Sequence, residues 1–226
     1  AAATSFATLW TKPFRTRTVM LWLAWFGIVF SYYGIFMWLP SIVFAQGFAV
    51  VKTFEYVLIM TLAQLPGYYA AAWLVDVIGR KYTLSLFLLM SGICSFFFGN
   101  AASASSLLAW GAAMSFFNLG AWGVIYTYTP EQYPTTIRAL GSGWAAGFGR
   151  IGGIAGPILG GILATTFAGQ LHSIFYVLGG IGVVGLILTM IIPKSKAEAV
   201  TLSLPPTITP AATVSASKPR LYGMIM

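Results

Sequence analysis

Apolar runs of membrane length, repeated along one short chain, leave this sequence few folds to adopt. Inside a hydrocarbon layer of about 30 Å every backbone N–H and C=O must be satisfied by the protein itself, and a helix needs roughly 20 mainly apolar residues to cross. Runs of this kind recur at about Val19 to Phe44, Phe54 to Val75, Tyr82 to Gly99, Leu107 to Tyr128, Ala139 to Phe167 and Ile174 to Ile192. The pattern predicts an all-α integral membrane protein with six transmembrane helices. Composition agrees, since 58% of the 226 residues are apolar and only 7% charged, far outside the soluble range. Residues 1–18 read as a cytoplasmic lead, 19–193 as the six-span bundle, and 194–226 as a cytoplasmic tail of Ser, Thr, Pro and Ala that lacks periodicity and is expected to be disordered. Pro40, the pair Pro66-Gly67, and Pro157 predict kinks or breaks within the spans.

The charges give an orientation. Lys12, Arg15, Arg17, Arg80, Lys81, Arg138, Lys194 and Lys196 fall at span ends on one side, and Lys52 stands alone on the other. The positive-inside rule then places both termini in the cytoplasm of a multi-pass cell-membrane protein. The net charge of +8 is thus a topology signal, and no nucleic-acid partner is expected. The single cysteine, Cys94, lies within a span, which excludes an internal disulfide and a paired-cysteine metal site; no metal or cofactor is expected. The first apolar run is too long for a signal peptide and has no cleavage site. Without a starting Met, the chain reads as a piece of something longer.

Arg150 is the residue that asks for a function. It stands among glycines in the fifth span, with no acidic residue nearby in sequence. At about 1.5 Å per residue from Leu140 it lies roughly 15 Å into the layer, where a charge is costly and normally faces a cavity or a partner. The expectation is that Arg150 meets a small organic anion. Asn118, Trp122 and Tyr126 are spaced four apart in span four, as are Tyr32 and Phe36 in span one, with Tyr33 beside them and Gln64 in span two. Aromatic faces with a few polar handles suit an aromatic or amphipathic ligand; singly, each ring equally fits an interfacial belt or a helix contact. Asp76, Gly79, Arg80 and Lys81 make a tight charged turn, and Glu131 and Arg138 lie on the same membrane face. Together they are expected to form a cytoplasmic ion-pair gate, although ordinary topology-setting charge would look the same. Glycines four apart (Gly143 and Gly147, Gly149 and Gly153, and Gly152, Gly156 and Gly160) predict close helix contact. A protease is rejected: Ser142 and the sole histidine, His172, belong to opposite ends of span five, too far apart for a dyad. No catalytic residue is expected, and the chain is not read as an enzyme.

The runs FSYYGIFMWLPS, YVLIMTLAQLPGYYAAAW, SFFNLGAWGVIYTYTPEQYPTTIR and GFGRIGG, with DVIGRK matching a superfamily loop motif, carry a resemblance over roughly Leu9 to Pro193. The sequence resembles the C-terminal six-helix half of a major facilitator superfamily carrier, and is similar to bacterial niacin permease-like metabolite:proton symporters. The resemblance implies one half of a twelve-helix fold in the cell inner membrane. It implies secondary active transport by alternating access of a small organic anion, a nicotinate-like aromatic carboxylate, with protons as a candidate second partner. The site would lie near the midplane, between two six-helix repeats. In anion-handling relatives a basic residue resembles Arg150 in position, a tyrosine pair resembles Tyr32-Tyr33, and a polar residue resembles Gln64; cation-handling relatives tend to carry an acid at the Arg150 place. Two departures stand out. The N-terminal half is missing, and this half has no Asp or Glu deep in a span. A titrating carboxylate would therefore belong to the missing half, or coupling works otherwise. Two other readings stay open: a carrier of sugars or organic cations in which Arg150 is structural, and a fragment or scaffold inactive without its N-terminal half.

Overall fold

Proline places two of the three interruptions within the predicted spans. A proline lacks its N–H and its ring collides with the carbonyl four residues earlier. Four before Pro40 is Phe36, the last residue of helix α1 (Arg15–Phe36), and the chain resumes as α2 (Leu39–Ala45). Four before Pro66 is Leu62, the last residue of α3 (Val50–Leu62), which passes through Ala63 into α4 (Gln64–Ile78). The breaks thus precede the prolines by about a turn. Pro157 behaves differently: α7 (Arg138–Thr166) continues through it without a break. There the Trp38 Nε1, from the link between α1 and α2, donates to the Pro157 carbonyl at 2.9 Å, which is the proline's own carbonyl and not the Gly153 carbonyl that its ring leaves without a donor.

The computed structural model describes residues 6–45, 47, 49–166, 175–177, 180, 184 and 187. A short 3-10 helix (Phe6–Trp10) precedes α1, and α5 (Arg80–Gly99) and α6 (Ala104–Glu131) complete the set. Among the described residues there is no strand, and five helices are long and apolar enough to cross a membrane, with α3 and α4 counted as one. Most of the predicted sixth span, the tail from residue 194, and His172 lie outside the described residues. The connections are shorter than the sequence predicts. Only Gly79 separates α4 from α5, at φ 86° and ψ 162°, a region essentially reserved for glycine. The loop expected up to Ser106 ends at Ser103, whose hydroxyl accepts from the Ser106 N–H in a capping box. The turn expected from Thr129 starts later, because α6 continues through Pro130 to Glu131.

Two sub-bundles emerge from the contacts. The pair α1–α7 shares the most extensive interface; α5–α6 and α4–α6 follow, while α1–α6 and α6–α7 touch far less. The α1–α7 contact is close because glycines line it. A Cβ built on Gly152 would stand 2.5 Å from the Phe26 carbonyl oxygen, and one on Gly156 2.5 Å from that of Phe30 and 3.1 Å from the Gly34 nitrogen. Gly149 and Gly153 meet Trp25, Val29 and Tyr33, and Gly160 meets Trp38. Gly143 and Gly147 face open space, so the predicted close packing holds for the five later glycines and not for these two.

Candidate functional site

The seam between the two sub-bundles is where the predicted binding residues gather. On the α1 side Tyr32 stacks on Phe36 at 4.7 Å and meets Tyr33 edge-on at 5.4 Å. On the α6 side Trp122 lies 6.4 Å from Tyr126. Trp122 bridges the seam, 5.1 Å from Tyr32 and 6.2 Å from Tyr33. Gln64, buried at the start of α4, is hydrogen-bonded through its side chain to Tyr32. The geometry thus unites Tyr32, Tyr33, Phe36, Trp122, Tyr126 and Gln64 in one cluster. Tyr126 is 46% exposed, so the cluster opens on one side.

Asn118 is turned elsewhere. Its Nδ2 donates to the Ser91 Oγ on α5 at 3.3 Å, and its Oδ1 is buried without a partner. A spacing of four drifts about 40° per step on a helix of 3.6 residues per turn. Over the eight residues from Tyr126 back to Asn118 that drift carries the side chain from the open face into the α5–α6 interface.

Arg150 sits about 18 Å from the start of α7, twelve residues on from Arg138. It is exposed and takes part in no ion pair among the described residues. Its neighbour one turn on, Gly153, seats the Tyr33 ring: a Cβ there would stand 3.3 Å from Tyr33 Cδ2. Arg150 thus stands within one turn of the glycine that seats Tyr33, and its exposed guanidinium is able to take a carboxylate through two parallel hydrogen bonds.

Two residues that the spacing analysis passed over belong to the same cluster. Trp25 is buried, packs edge-on against Tyr126 at 4.8 Å, and donates its Nε1 to the Thr129 Oγ1 at 2.8 Å. Tyr68 lies within electrostatic reach of both Tyr32 and Tyr126. The available signals were position: Tyr68 follows Gln64 by four, and Trp25 precedes Tyr32 by seven.

Within the α4–α5–α6 group the predicted gate residues sort themselves. The Arg80 Nε meets the Glu131 Oε1 at 2.6 Å, tying the start of α5 to the end of α6. Arg138 instead donates its Nε to the Tyr133 carbonyl at 3.4 Å, and Asp76 lines a cavity with Arg80. Gly79 is the one-residue hinge between them, and Lys81 lies partly buried one residue into α5. The cavity, of about 540 Å³, runs between α4 and α6 from Tyr68 and Tyr69 past Gly123, Val124 and Thr127 to Asp76 and Arg80.

Comparison with known proteins gives this geometry a family. Residues 56–223 match the Major Facilitator Superfamily. A niacin transporter of Acinetobacter baylyi is 62% identical over 155 residues, covering 69% of this chain and 35% of the relative. A protein of Bacillus subtilis, whose name assigns it provisionally to niacin or nicotinamide transport, is 58% identical over 156 residues, 69% of this chain and 39% of the relative. A gallate transporter of Pseudomonas putida is 28% identical over 172 residues, 76% of this chain and 38% of the relative. The chain thus spans little more than a third of the length of these curated relatives. Its all-helical bundle, with five helices among the described residues long and apolar enough to cross a membrane, agrees with one half of the family's fold, and its place is in a membrane. By the extent of the match and the architecture alike, the chain belongs to the Major Facilitator Superfamily.

Proposed function

We propose that this chain is the C-terminal six-helix half of a secondary carrier that moves a small aromatic carboxylate, nicotinate or a close analogue, by rocking against a second half. The observation that carries the reading is the placement of Arg150: a cation with no ion pair among the described residues, deep along α7 and one turn before Gly153, which seats the Tyr33 ring of the aromatic cluster. The guanidinium would take the carboxylate and the rings of Tyr32, Phe36 and Trp122 would stack on the heterocycle. Tyr33, Tyr126 and Gln64 would supply polar contacts. Asn118, facing Ser91, would act through the α5–α6 packing that holds Trp122. The names of the relatives support the ligand class, since niacin and gallate are both rings that can carry a carboxylate.

Glu131 and Arg80, with Asp76, Gly79, Lys81 and Arg138 around them, would close the cytoplasmic side, with both termini in the cytoplasm. The described acids, Glu55, Asp76 and Glu131, all stand near helix ends. Proton coupling would then rely on a carboxylate outside the described residues.

The test is uptake of labelled nicotinate by the protein in its full reading frame, with Arg150→Ala and Arg150→Lys. Arg150→Ala is expected to lower apparent affinity by about tenfold or more, the weight of a charge-assisted pair. Arg150→Lys should fall between, keeping the charge and losing the two-pronged geometry. Undiminished uptake in both variants would remove Arg150 from the site.

A further inference from the structure

We infer that Tyr68 is a specificity-determining residue of the proposed carboxylate site, held in place by the absence of a side chain at Gly123. The inference rests on the reading given under Proposed function and extends it to a second residue of α4. Tyr68 is one turn past Gln64, which is bonded to Tyr32. The residue is 40% exposed, which leaves it open to an incoming molecule. It stands one turn beyond the residue bonded to Tyr32, with its ring against Gly123 next to Trp122, and so flanks the aromatic cluster from α4. It also lines the 540 Å³ cavity that reaches Asp76 and Arg80, at the end of α4 nearer to Gln64.

Gly123 fixes the ring's position. A Cβ at Gly123 would stand 2.8 Å from Tyr68 Cδ1 and 2.9 Å from Cε1, with no other group within 4 Å. That is well inside ordinary contact, so even alanine there must displace this ring and nothing else. Gly123 also adjoins Trp122, whose indole crosses the seam. Ring and indole are thereby held in register from adjacent positions of one helix. A phenol at this point offers a hydrogen bond to a ring substituent or ring nitrogen, while leaving the carboxylate to Arg150. The expected consequence is discrimination among rings that share the carboxylate: 3-carboxypyridine against benzoate, which lacks the ring nitrogen.

The experiment measures competition by unlabelled nicotinate and benzoate against labelled nicotinate, using the protein in its full reading frame reconstituted in liposomes. The variants are Tyr68→Phe, Tyr68→Ala, Gly123→Ala and the double variant Tyr68→Ala/Gly123→Ala. Tyr68→Phe keeps the ring and removes the hydroxyl. It is expected to weaken nicotinate about three- to tenfold with little change for benzoate or in maximal rate, the effect of one lost hydrogen bond. Gly123→Ala is expected to weaken nicotinate comparably in the wild-type background and to have no further effect once Tyr68 is alanine, a non-additive cycle. Equal competition profiles for Tyr68→Phe and wild type overturn the inference, as does a Gly123→Ala effect that simply adds to Tyr68→Ala. Arg150→Ala is run alongside to separate the two ideas. Weakened nicotinate in Arg150→Ala with an unchanged Tyr68→Phe defeats only the Tyr68 role. An unchanged Arg150→Ala defeats the underlying carboxylate reading.

Discussion

Adding one methyl group to the glycines of α7 should produce opposite results within about four turns of the same helix. At Gly152 or Gly156 the new Cβ would lie 2.5 Å from a carbonyl oxygen of α1. The closest comfortable carbon–oxygen approach is about 3.3 Å, so α1 and α7 must part by roughly 0.8 Å at that level. A gap of that size forfeits a quarter to a half of each dispersion well along the contact. Because the obstacle is backbone, no side chain can rotate away. Gly152→Ala and Gly156→Ala should therefore each cost about 1–3 kcal/mol, the range for overpacking. Gly143→Ala and Gly147→Ala meet nothing within 4 Å. They should be neutral or stabilising by up to about 1 kcal/mol, since alanine is the better helix former. Reversible unfolding of the detergent-solubilised protein in all four variants, followed by tryptophan fluorescence, checks the contrast. If Gly152→Ala and Gly156→Ala unfold at the same denaturant concentration as Gly143→Ala and Gly147→Ala, the backbone-contact argument is refuted.

The Arg80–Glu131 pair is a third to two-fifths exposed on its two sides, so breaking it with Glu131→Gln should change stability by no more than about 1 kcal/mol; its effect should instead be on transport rate. The charge-exchanged double variant Arg80→Glu/Glu131→Arg should recover rate lost by either single change, and uptake kinetics in all three would reveal it. Tyr133, in the connection after α6, donates to the Thr18 Oγ1 at 3.1 Å, and burial pushes its hydroxyl above the ordinary value of 10.0, partly offset by that bond and by Arg17. The folded chain then keeps this proton after the unfolded chain has lost it. Its contribution is complete below pH 10 and is lost as pH rises through the raised folded value. Tyr133→Phe should lose about 1 kcal/mol at pH 7 and show a shallower alkaline decline than wild type in unfolding curves taken from pH 7 to 11.

The helices were legible because lipid forces their length. The ends of α5, α6 and α7 fall within about three residues of where apolar runs stop. The breaks were legible in kind but displaced, because proline acts on the carbonyl four residues back and so ends α1 at Phe36 and α3 at Leu62. Pro157 departs from that rule, since α7 runs through it without a break, and nothing in its local sequence separates it from Pro40 and Pro66. The aromatic cluster was half visible. Equal spacing correctly aligned Tyr32 with Phe36 and Trp122 with Tyr126, yet the accumulated twist of α6 sent Asn118 to Ser91. Tyr68 was hidden because its role depends on a missing side chain at Gly123, fifty-five positions away. Likewise the partner of Arg80 could not be read from the Asp76 to Lys81 turn alone: Glu131 comes from a helix end set by the length of α6.

The glycine-lined union of α1 and α7 has a mechanical consequence. With backbone against backbone and no side chains between as cushion, the two helices form one jaw of a caliper, and Arg150 and Tyr33 are mounted on it at a fixed offset. Trp122, Tyr126 and Tyr68 ride on the opposing jaw, joined across a much thinner margin. Any slip along that margin therefore moves Arg150 and Tyr33 together, as one piece, past Trp122, Tyr126 and Tyr68.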